Sequence, residues 1–144
     1  MLICIDSCVF IRAYDAPQSS ASSLLRLIGP QLPVVVPRLV ISEVVRNLRS
    51  VEQLKTFHRL FVSPSDVQVI GLPVPRNLIA RYVSLGLREK GDAVIGAFAE
   101  WMQVDTLISD NRHFLRELQG SPFQVKTWRP TASSSAIAGT TSTT

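Results

Sequence analysis

Short runs of apolar residues recur along the chain and alternate with longer segments whose apolar residues repeat at helical spacing. The short runs are apolar on both faces, which is typical of strands buried in a parallel sheet. They predict strands over 2–5, 33–37, 106–109 and 123–128, with 67–72 as a short strand or an extended link. The longer segments predict helices over 19–28, 39–48, 51–62, 76–87, 92–102 and 113–118. This alternation predicts an α/β fold with a central parallel β-sheet flanked by helices.

The composition changes near the end of the chain. From Thr131 onward the residues are almost all Ser, Thr, Ala and Gly. Such a segment has too little apolar surface to form a core. The sequence therefore predicts one folded domain over 1–129 and a disordered Ser/Thr/Ala-rich tail over 130–144.

The overall composition fits a globular protein with a phosphate-bearing partner. Of the 144 residues, 46% are hydrophobic and 18% are charged, and 12 of the 15 cationic residues are Arg. The formal net charge is +4, and an excess of Arg suits phosphate or carboxylate partners. No apolar run approaches the roughly 20 residues of a membrane span, and no signal peptide is evident. We therefore expect no membrane association and a cytoplasmic location.

Four acidic residues stand at positions where a parallel sheet would gather them. Asp6 and Asp110 follow two predicted strands, and the carboxyl ends of such strands line the ligand crevice of open α/β sheets. Asp92 begins a predicted helix, where it also suits an N-cap, and Glu43 lies in a helix, where it also suits a solvated face. Converging carboxylates repel one another unless a cation such as Mg²⁺ binds between them. The pattern indicates metal-dependent phosphodiester hydrolysis.

Four segments carry a family resemblance, in the order strand acid, helix Glu, helix-start Asp and strand-end Asp. Segments 1–7, 41–44, 91–97 and 106–114 resemble the four signature segments of PIN domains. The resemblance extends from Met1 to about Trp128, and this short chain is similar to the VapC-type toxins of type II toxin–antitoxin systems. It implies a ribonuclease dependent on Mg²⁺ or Mn²⁺, an RNA substrate, a cognate antitoxin protein and a homodimer.

The resemblance also assigns roles to residues. Asp6, Glu43, Asp92 and Asp110 would be catalytic. Asp6, Asp92 and Asp110 would contact the metal, and Glu43 would complete the metal's ligands or orient the attacking water. Ser7 and Ser109 are assigned as supporting residues, Ser109 because its hydroxyl can orient a ligand or a water.

The sequence departs from the family pattern at two positions near these acids. Cys8 stands where many relatives have Asn or Ser, and Asn111 and Arg112 follow the last acid, which could leave a one-metal site. Candidate RNA-binding residues are Arg12, Arg46 and Arg112, chosen because they lie near the acids in sequence. A non-catalytic PIN-like module that binds RNA or protein is the alternative. A phosphatase of the haloacid dehalogenase type would need an Asp at position 8.

Overall fold

The computed structural model describes residues 1–62, 67–88, 91–118 and 120–127. The predicted tail over 130–144 lies outside the described residues, and so does the end of the last predicted strand. Within the described ranges, none of the helices is both long enough and apolar enough to cross a membrane.

The core of the fold is a parallel sheet of five strands in the order β3-β2-β1-β4-β5. The sheet confirms the predicted fold class and every predicted strand, including the segment left open as strand or link. The strands are β1 (Ile3–Ile5), β2 (Val34–Pro37), β3 (Val67–Ile70), β4 (Thr106–Ile108) and β5 (Gln124–Lys126). Every residue of β1, β2 and β4 is buried, as expected for strands covered on both faces.

The described ranges contain seven helices, and six of them correspond to predicted helices. They are α1 (Ser7–Asp15), α2 (Ser20–Arg26), α3 (Arg38–Asn47), α4 (Val51–Arg59), α5 (Arg76–Ser84), α6 (Asp92–Trp101) and α7 (Arg112–Glu117). Helix α6 is buried along most of its length, which agrees with the central place predicted from its apolar residues.

Helix α1 was not predicted from the sequence. It begins directly after Asp6, whose carboxylate caps it by accepting the backbone N–H of Ser7. Val9, Phe10 and Ala13 form its buried face. The capping acid followed by apolar residues at helical spacing was an available signal, but Asp6 had been interpreted only as an acid of the site.

The strand order places a topological switch point between β1 and β4. From β1 the chain continues to β2 and β3 on one side, whereas β4 and β5 occupy the other side. The connections that leave β1 and β4 therefore diverge, and a crevice opens at their carboxyl ends, where open α/β sheets bind ligands. Asp6 directly follows β1, and Ser109 and Asp110 follow β4.

Candidate active site

Asp6 is the most buried of the four predicted acids. Its backbone N–H donates to the carbonyl of Ile108 at 2.9 Å, which fixes it across the switch point. Its side chain accepts the Ser7 N–H at 2.8 Å, and the residue is only 4% exposed. Asp6 is thus held by the sheet on one side and by the first turn of α1 on the other.

Ser109 lies next to Asp6 on the neighbouring strand end and is completely buried. Its hydroxyl donates to Asp6 Oδ2 at 2.8 Å and accepts the backbone N–H of Asn111 at 3.0 Å. The hydroxyl therefore has partners in both of its roles. The structure places Ser109 in contact with an acid of the site, as the supporting role predicted for it requires.

Glu43 reaches the same end of the sheet from α3. Its Oε1 accepts a hydrogen bond from the hydroxyl of Ser7 at 2.9 Å, and the same hydroxyl lies 3.5 Å from Asp6 Oδ1. Glu43 is half-buried. The interpretation of Glu43 as a residue of a solvated helix face does not account for this contact. Ser7 connects two of the predicted acids.

Asp92 is the first residue of α6 and is 5% exposed. Gly91 occupies the N-cap position and no side chain caps the helix there, so the N-cap interpretation of Asp92 is wrong. Its carboxylate instead accepts Asn111 Nδ2 at 2.9 Å on Oδ1 and Arg88 Nε at 3.3 Å on Oδ2. Both donors lie outside the set of site residues predicted from the sequence.

Cys8 and Asp110 complete the surroundings of Asp6. The Cys8 thiol lies 3.8 Å from Asp6 Oδ2 and 3.9 Å from the Ser109 hydroxyl, and it accepts a backbone hydrogen bond from Asp110. Burial, with a smaller contribution from the charge of Asp6, raises the pKa of Cys8 to about 12. The thiol is protonated at neutral pH and can donate weakly to Asp6. Asp110 itself is half-buried.

The pKa of Asp6 lies above its usual value. Burial is the largest cause, the hydrogen bonds from Ser109 and Ser7 oppose it, and the charges of Glu43 and Asp92 raise the pKa further. The charges of two of the other predicted acids therefore reach Asp6. No Lys, Arg or His of the described ranges forms an ion pair with Asp6. A buried carboxylate without a cation partner is unfavourable in a folded protein.

The chemistry of these side chains suits a hard divalent cation. All four acids offer oxygen, which Mg²⁺ and Mn²⁺ prefer, and the donors to Asp6 from Ser7 and Ser109 are neutral, so they would not offset the charge of an ionised Asp6. As placed, however, no three His, Cys, Asp or Glu side chains in the described part of the chain form a group that could hold a metal ion. The metal assignment to Asp6, Asp92 and Asp110 stays a prediction.

Two residues at the site were missed by the sequence analysis. Asn111 had been treated only as a departure from the family pattern, although an Asn before a helix is a typical N-cap and its side chain does cap α7. Arg88 lies four residues before Asp92, in the segment that precedes α6 and outside any helix, so the rule for side-chain pairs on a helix did not indicate the contact. Their contacts with Asp92 connect segments whose approach depends on the fold.

The other end of the sheet holds none of the four acids. Asp105 accepts the backbone N–H of Leu2 at 2.8 Å there, so it lies outside the site. A cavity of about 810 Å³ at this end is lined by residues that include Asp105, Gln103 and Phe123. All four predicted acids therefore lie at the switch-point end.

Comparison with known proteins identifies the family. The sequence model of the PIN domain matches residues 3–118. The chain belongs to the PIN domain family. The family predicted from the four segments is thereby confirmed. Among curated proteins, none is a significant match to this PIN domain.

Solved structures with the same fold include several toxin–antitoxin complexes. VapBC2 from Rickettsia felis, bound to a DNA fragment from their promoter, is 18% identical with a TM-score of 0.64, over 89% of this chain and 99% of that chain. VapBC-1 from nontypeable Haemophilus influenzae is 14% identical with a TM-score of 0.63, over 89% of this chain and 98% of that chain. A toxin–antitoxin complex from Klebsiella pneumoniae is 19% identical with a TM-score of 0.54, over 85% and 98%. At these identities the shared feature is the fold.

Proposed function

We propose that this PIN domain is a metal-dependent ribonuclease that hydrolyses RNA phosphodiester bonds and serves as the toxin of a type II toxin–antitoxin pair. The observation that carries the proposal is the buried carboxylate of Asp6 at the switch point. It has no cation partner in the described ranges, it contacts the Ser7 hydroxyl that binds Glu43, and it is influenced by the charge of Asp92. Such an arrangement is what a cation-binding hydrolytic site needs.

Asp6, Asp92 and Asp110 would hold the Mg²⁺ or Mn²⁺ ion, and Glu43 would orient the attacking water or complete the ligand set. When bound, the cation would lower the pKa of a coordinated water and offset charge on the phosphoryl oxygens. In the hydrolysis a water oxygen would form the new bond to phosphorus while the P–O bond to the leaving ribose oxygen breaks. The water proton would pass to a carboxylate such as Glu43, and the leaving oxygen would take up a proton from solvent. Ser7 would keep Glu43 oriented, since its hydroxyl already donates to Oε1.

Arg12, Arg46 and Arg112 are the proposed RNA contacts. All three are exposed, and they lie on α1, α3 and α7, the helices that contribute Ser7 and Glu43 or follow Asp110. None of them forms an ion pair with a described acid. Replacing one of them with Ala should weaken RNA binding. It should also reduce the slope of the logarithm of the binding constant against the logarithm of salt concentration by about one, the loss of one phosphate contact.

The partner assignment is supported by fold likeness to toxin–antitoxin complexes and by the excess of carboxylates at the switch point. A basic antitoxin side chain could pair with such a carboxylate by a strong charge-assisted hydrogen bond.

We also infer a homodimer, which fits large apolar side chains such as Val51 and Leu54 that are exposed on α4. Co-expression with the neighbouring gene should restore the growth that expression of this chain alone slows.

One observation favours the alternative of a non-catalytic module that binds RNA or protein. The described acids do not form a ready-made metal group. A binding module would keep its melting temperature when Mn²⁺ is added, whereas a carboxylate site that binds the ion would be stabilised.

The deciding experiment incubates the purified chain with single-stranded RNA and Mn²⁺, with the Asp6→Asn variant as the matched control. Cleavage by the wild type that disappears in the variant supports the proposal. RNA binding without cleavage, together with a melting temperature that Mn²⁺ does not change, would establish the non-catalytic alternative.

A further inference from the structure

Asn111 forms three hydrogen bonds at the site, two through its side chain and one through its backbone N–H. It lies between β4 and α7, at the N-cap of that helix. Its Nδ2 donates to Asp92 Oδ1 at 2.9 Å, and its Oδ1 accepts the backbone N–H of His113 at 2.9 Å. Its own backbone N–H donates to the Ser109 hydroxyl at 3.0 Å. The side-chain amide is therefore fixed at both ends.

These bonds form a continuous link between two of the site's carboxylates. Ser109 donates to Asp6, Asn111 donates to Ser109 through its backbone, and the Asn111 side chain donates to Asp92. Every member between the two acids is neutral. The link thus connects the acid at the start of α6 to the acid that follows β1 through hydrogen bonds, and it adds no charge.

The side chain at position 111 has to satisfy two demands at once. It must offer an acceptor to cap α7 and a donor to meet the carboxyl group of Asp92, and an amide is a group that offers both. An Asp of the same length would keep the acceptor and place a like charge beside Asp92. A Ser would keep the cap but would be too short to reach Asp92 in the same way.

The other donor to Asp92 is a weaker tether. The Arg88 side chain is 73% exposed and contacts Asp92 Oδ2 at 3.3 Å. Exposed ion pairs contribute little, because water and salt screen them and the long side chain loses entropy when it is held. The orientation of the buried Asp92 carboxylate is therefore set mainly by Asn111.

We propose that Asn111 is a positioning residue that orients Asp92 for cation binding, through the hydrogen-bonded link that runs from Asp6 through Ser109. The proposal rests on the proposed function, because the cation is the one assigned there. It concerns a residue that the sequence had indicated only as a departure from the family pattern.

The test measures Mn²⁺ affinity by calorimetric titration of the purified full chain in the absence of RNA. Asn111→Ser should bind Mn²⁺ roughly tenfold more weakly than the wild type, as is usual when a residue that orients a metal ligand is removed. In RNA cleavage the same variant should lose kcat while KM changes little. Ser50→Ala is the matched control, because it removes the side-chain cap of α4 at a distance from the four acids, and its Mn²⁺ affinity should equal that of the wild type.

A second variant covers the case in which Asn111→Ser folds poorly. Asn111→Asp keeps the length and the cap, so its melting temperature without metal should fall through repulsion with Asp92 and should recover when Mn²⁺ is added. If the melting temperature of Asn111→Asp fell by the same amount with and without Mn²⁺, Asn111 would have only a structural role, and the proposal would be overturned. Wild-type affinity in Asn111→Ser would overturn it too while leaving the proposed function intact. A wild type that binds no Mn²⁺ would overturn both.

Discussion

The hydroxyl of Ser7 donates to Glu43 Oε1 at 2.9 Å across 36 positions of the sequence. The backbone N–H of the same serine donates to Asp6 Oδ1 at 2.8 Å. The first residue of α1 thereby orients one acid at the end of β1 and a second acid on α3. Ser7 had been assigned a supporting role by resemblance, and these contacts give that role a physical basis.

Ser7→Ala should reduce RNA cleavage by roughly tenfold through kcat, since Glu43 loses the donor that orients it. The backbone contact with Asp6 does not involve the side chain and should persist. The stability loss should be about 1 kcal/mol, the usual value for one hydrogen bond. Steady-state kinetics and thermal unfolding measure the two effects. Ser84→Ala, which loses a hydrogen bond to the carbonyl of Arg81, is the control, and equal cleavage by both variants would contradict the role of Ser7.

Asp6→Asn should abolish cleavage and raise the stability of the metal-free chain at neutral pH. The pKa of Asp6 is raised in the folded state, chiefly by burial, so the folded chain binds this proton more tightly than the unfolded chain does. The stabilisation from the bound proton is complete below the unfolded pKa of about 3.9 and is lost as the pH rises through the folded pKa. Above that range the wild type carries a buried charge that the variant lacks.

The stability gain of Asp6→Asn should therefore be present at pH 8 and should shrink towards pH 4. Thermal unfolding in EDTA measures it, and ~1 kcal/mol corresponds to ~3–4 °C in a chain of this size. Asp15→Asn is the control, because Asp15 forms an ion pair with the exposed Arg49 and should show no such gain. A variant that is less stable at pH 8 and still cleaves RNA would contradict both parts of the prediction.

The sheet and six helices could be predicted because their signals are local. Apolar runs such as that in 34–36 indicate buried strands, and the apolar residues of α6 indicate a central helix. Helix α1 was missed, although its capping acid and apolar spacing are present in the sequence, because a single residue, Asp6, both ends the strand and caps the helix. Because Asp6 serves both elements, no turn residues separate β1 from α1 in the sequence.

The four acids and two supporting serines could be proposed from the order of motifs, whereas the hydrogen bonds that connect them could not. Asn111 meets Asp92 across 19 positions, and Ser109 meets Asp6 across 103. These contacts exist because β4 lies beside β1 and because the turn after β4 passes the start of α6. No periodicity in the sequence encodes that approach. The contact of Asn111 with Asp92 follows only from the three-dimensional structure, whereas the supporting role of Ser109 was implied by the family resemblance.

Ser109→Ala should destabilise the chain by ~1–3 kcal/mol, the range for leaving buried groups without partners. Two partners are lost together: Asp6 Oδ2 loses a donor, and the Asn111 N–H loses its acceptor. The loss should grow as the pH rises, because the Ser109 hydrogen bond lowers the pKa of Asp6 and so favours its charged form. Urea unfolding at two pH values measures this. Ser121→Ala, which removes a hydrogen bond to Phe123, should show a pH-independent change, and the same behaviour in Ser109→Ala would refute the coupling.

Gly96→Ala should destabilise the packing of α5 on α6. A Cβ at position 96 would lie 2.8 Å from Cδ2 and 3.1 Å from Cε2 of the Tyr82 ring. The ring is buried, and its hydroxyl donates to Glu100 at 2.7 Å, so it has little freedom to move away. Overpacking of this kind costs ~1–3 kcal/mol, less the ~1 kcal/mol that Ala gains over Gly in a helix. Thermal unfolding checks it against Gly29→Ala, where no atom lies within 4 Å of the added Cβ; equal melting temperatures would mean that the ring yields.

Arg88→Ala should destabilise the chain by no more than ~1 kcal/mol, because the ion pair is largely exposed on the Arg side although the Asp92 carboxylate is buried. It should nevertheless raise the Mn²⁺ affinity several-fold, since the guanidinium and the metal would compete for the same carboxylate. The gain should fade as salt rises, because salt already screens the exposed guanidinium. Calorimetric titration at low and high salt measures both effects. Arg81→Ala breaks a comparable ion pair with Glu100 and should bind Mn²⁺ as the wild type does. If Arg88→Ala bound Mn²⁺ with unchanged or lower affinity, Arg88 would not compete with the ion. In the wild type, Asp92 would then bind the cation while its ion pair with Arg88 stays formed.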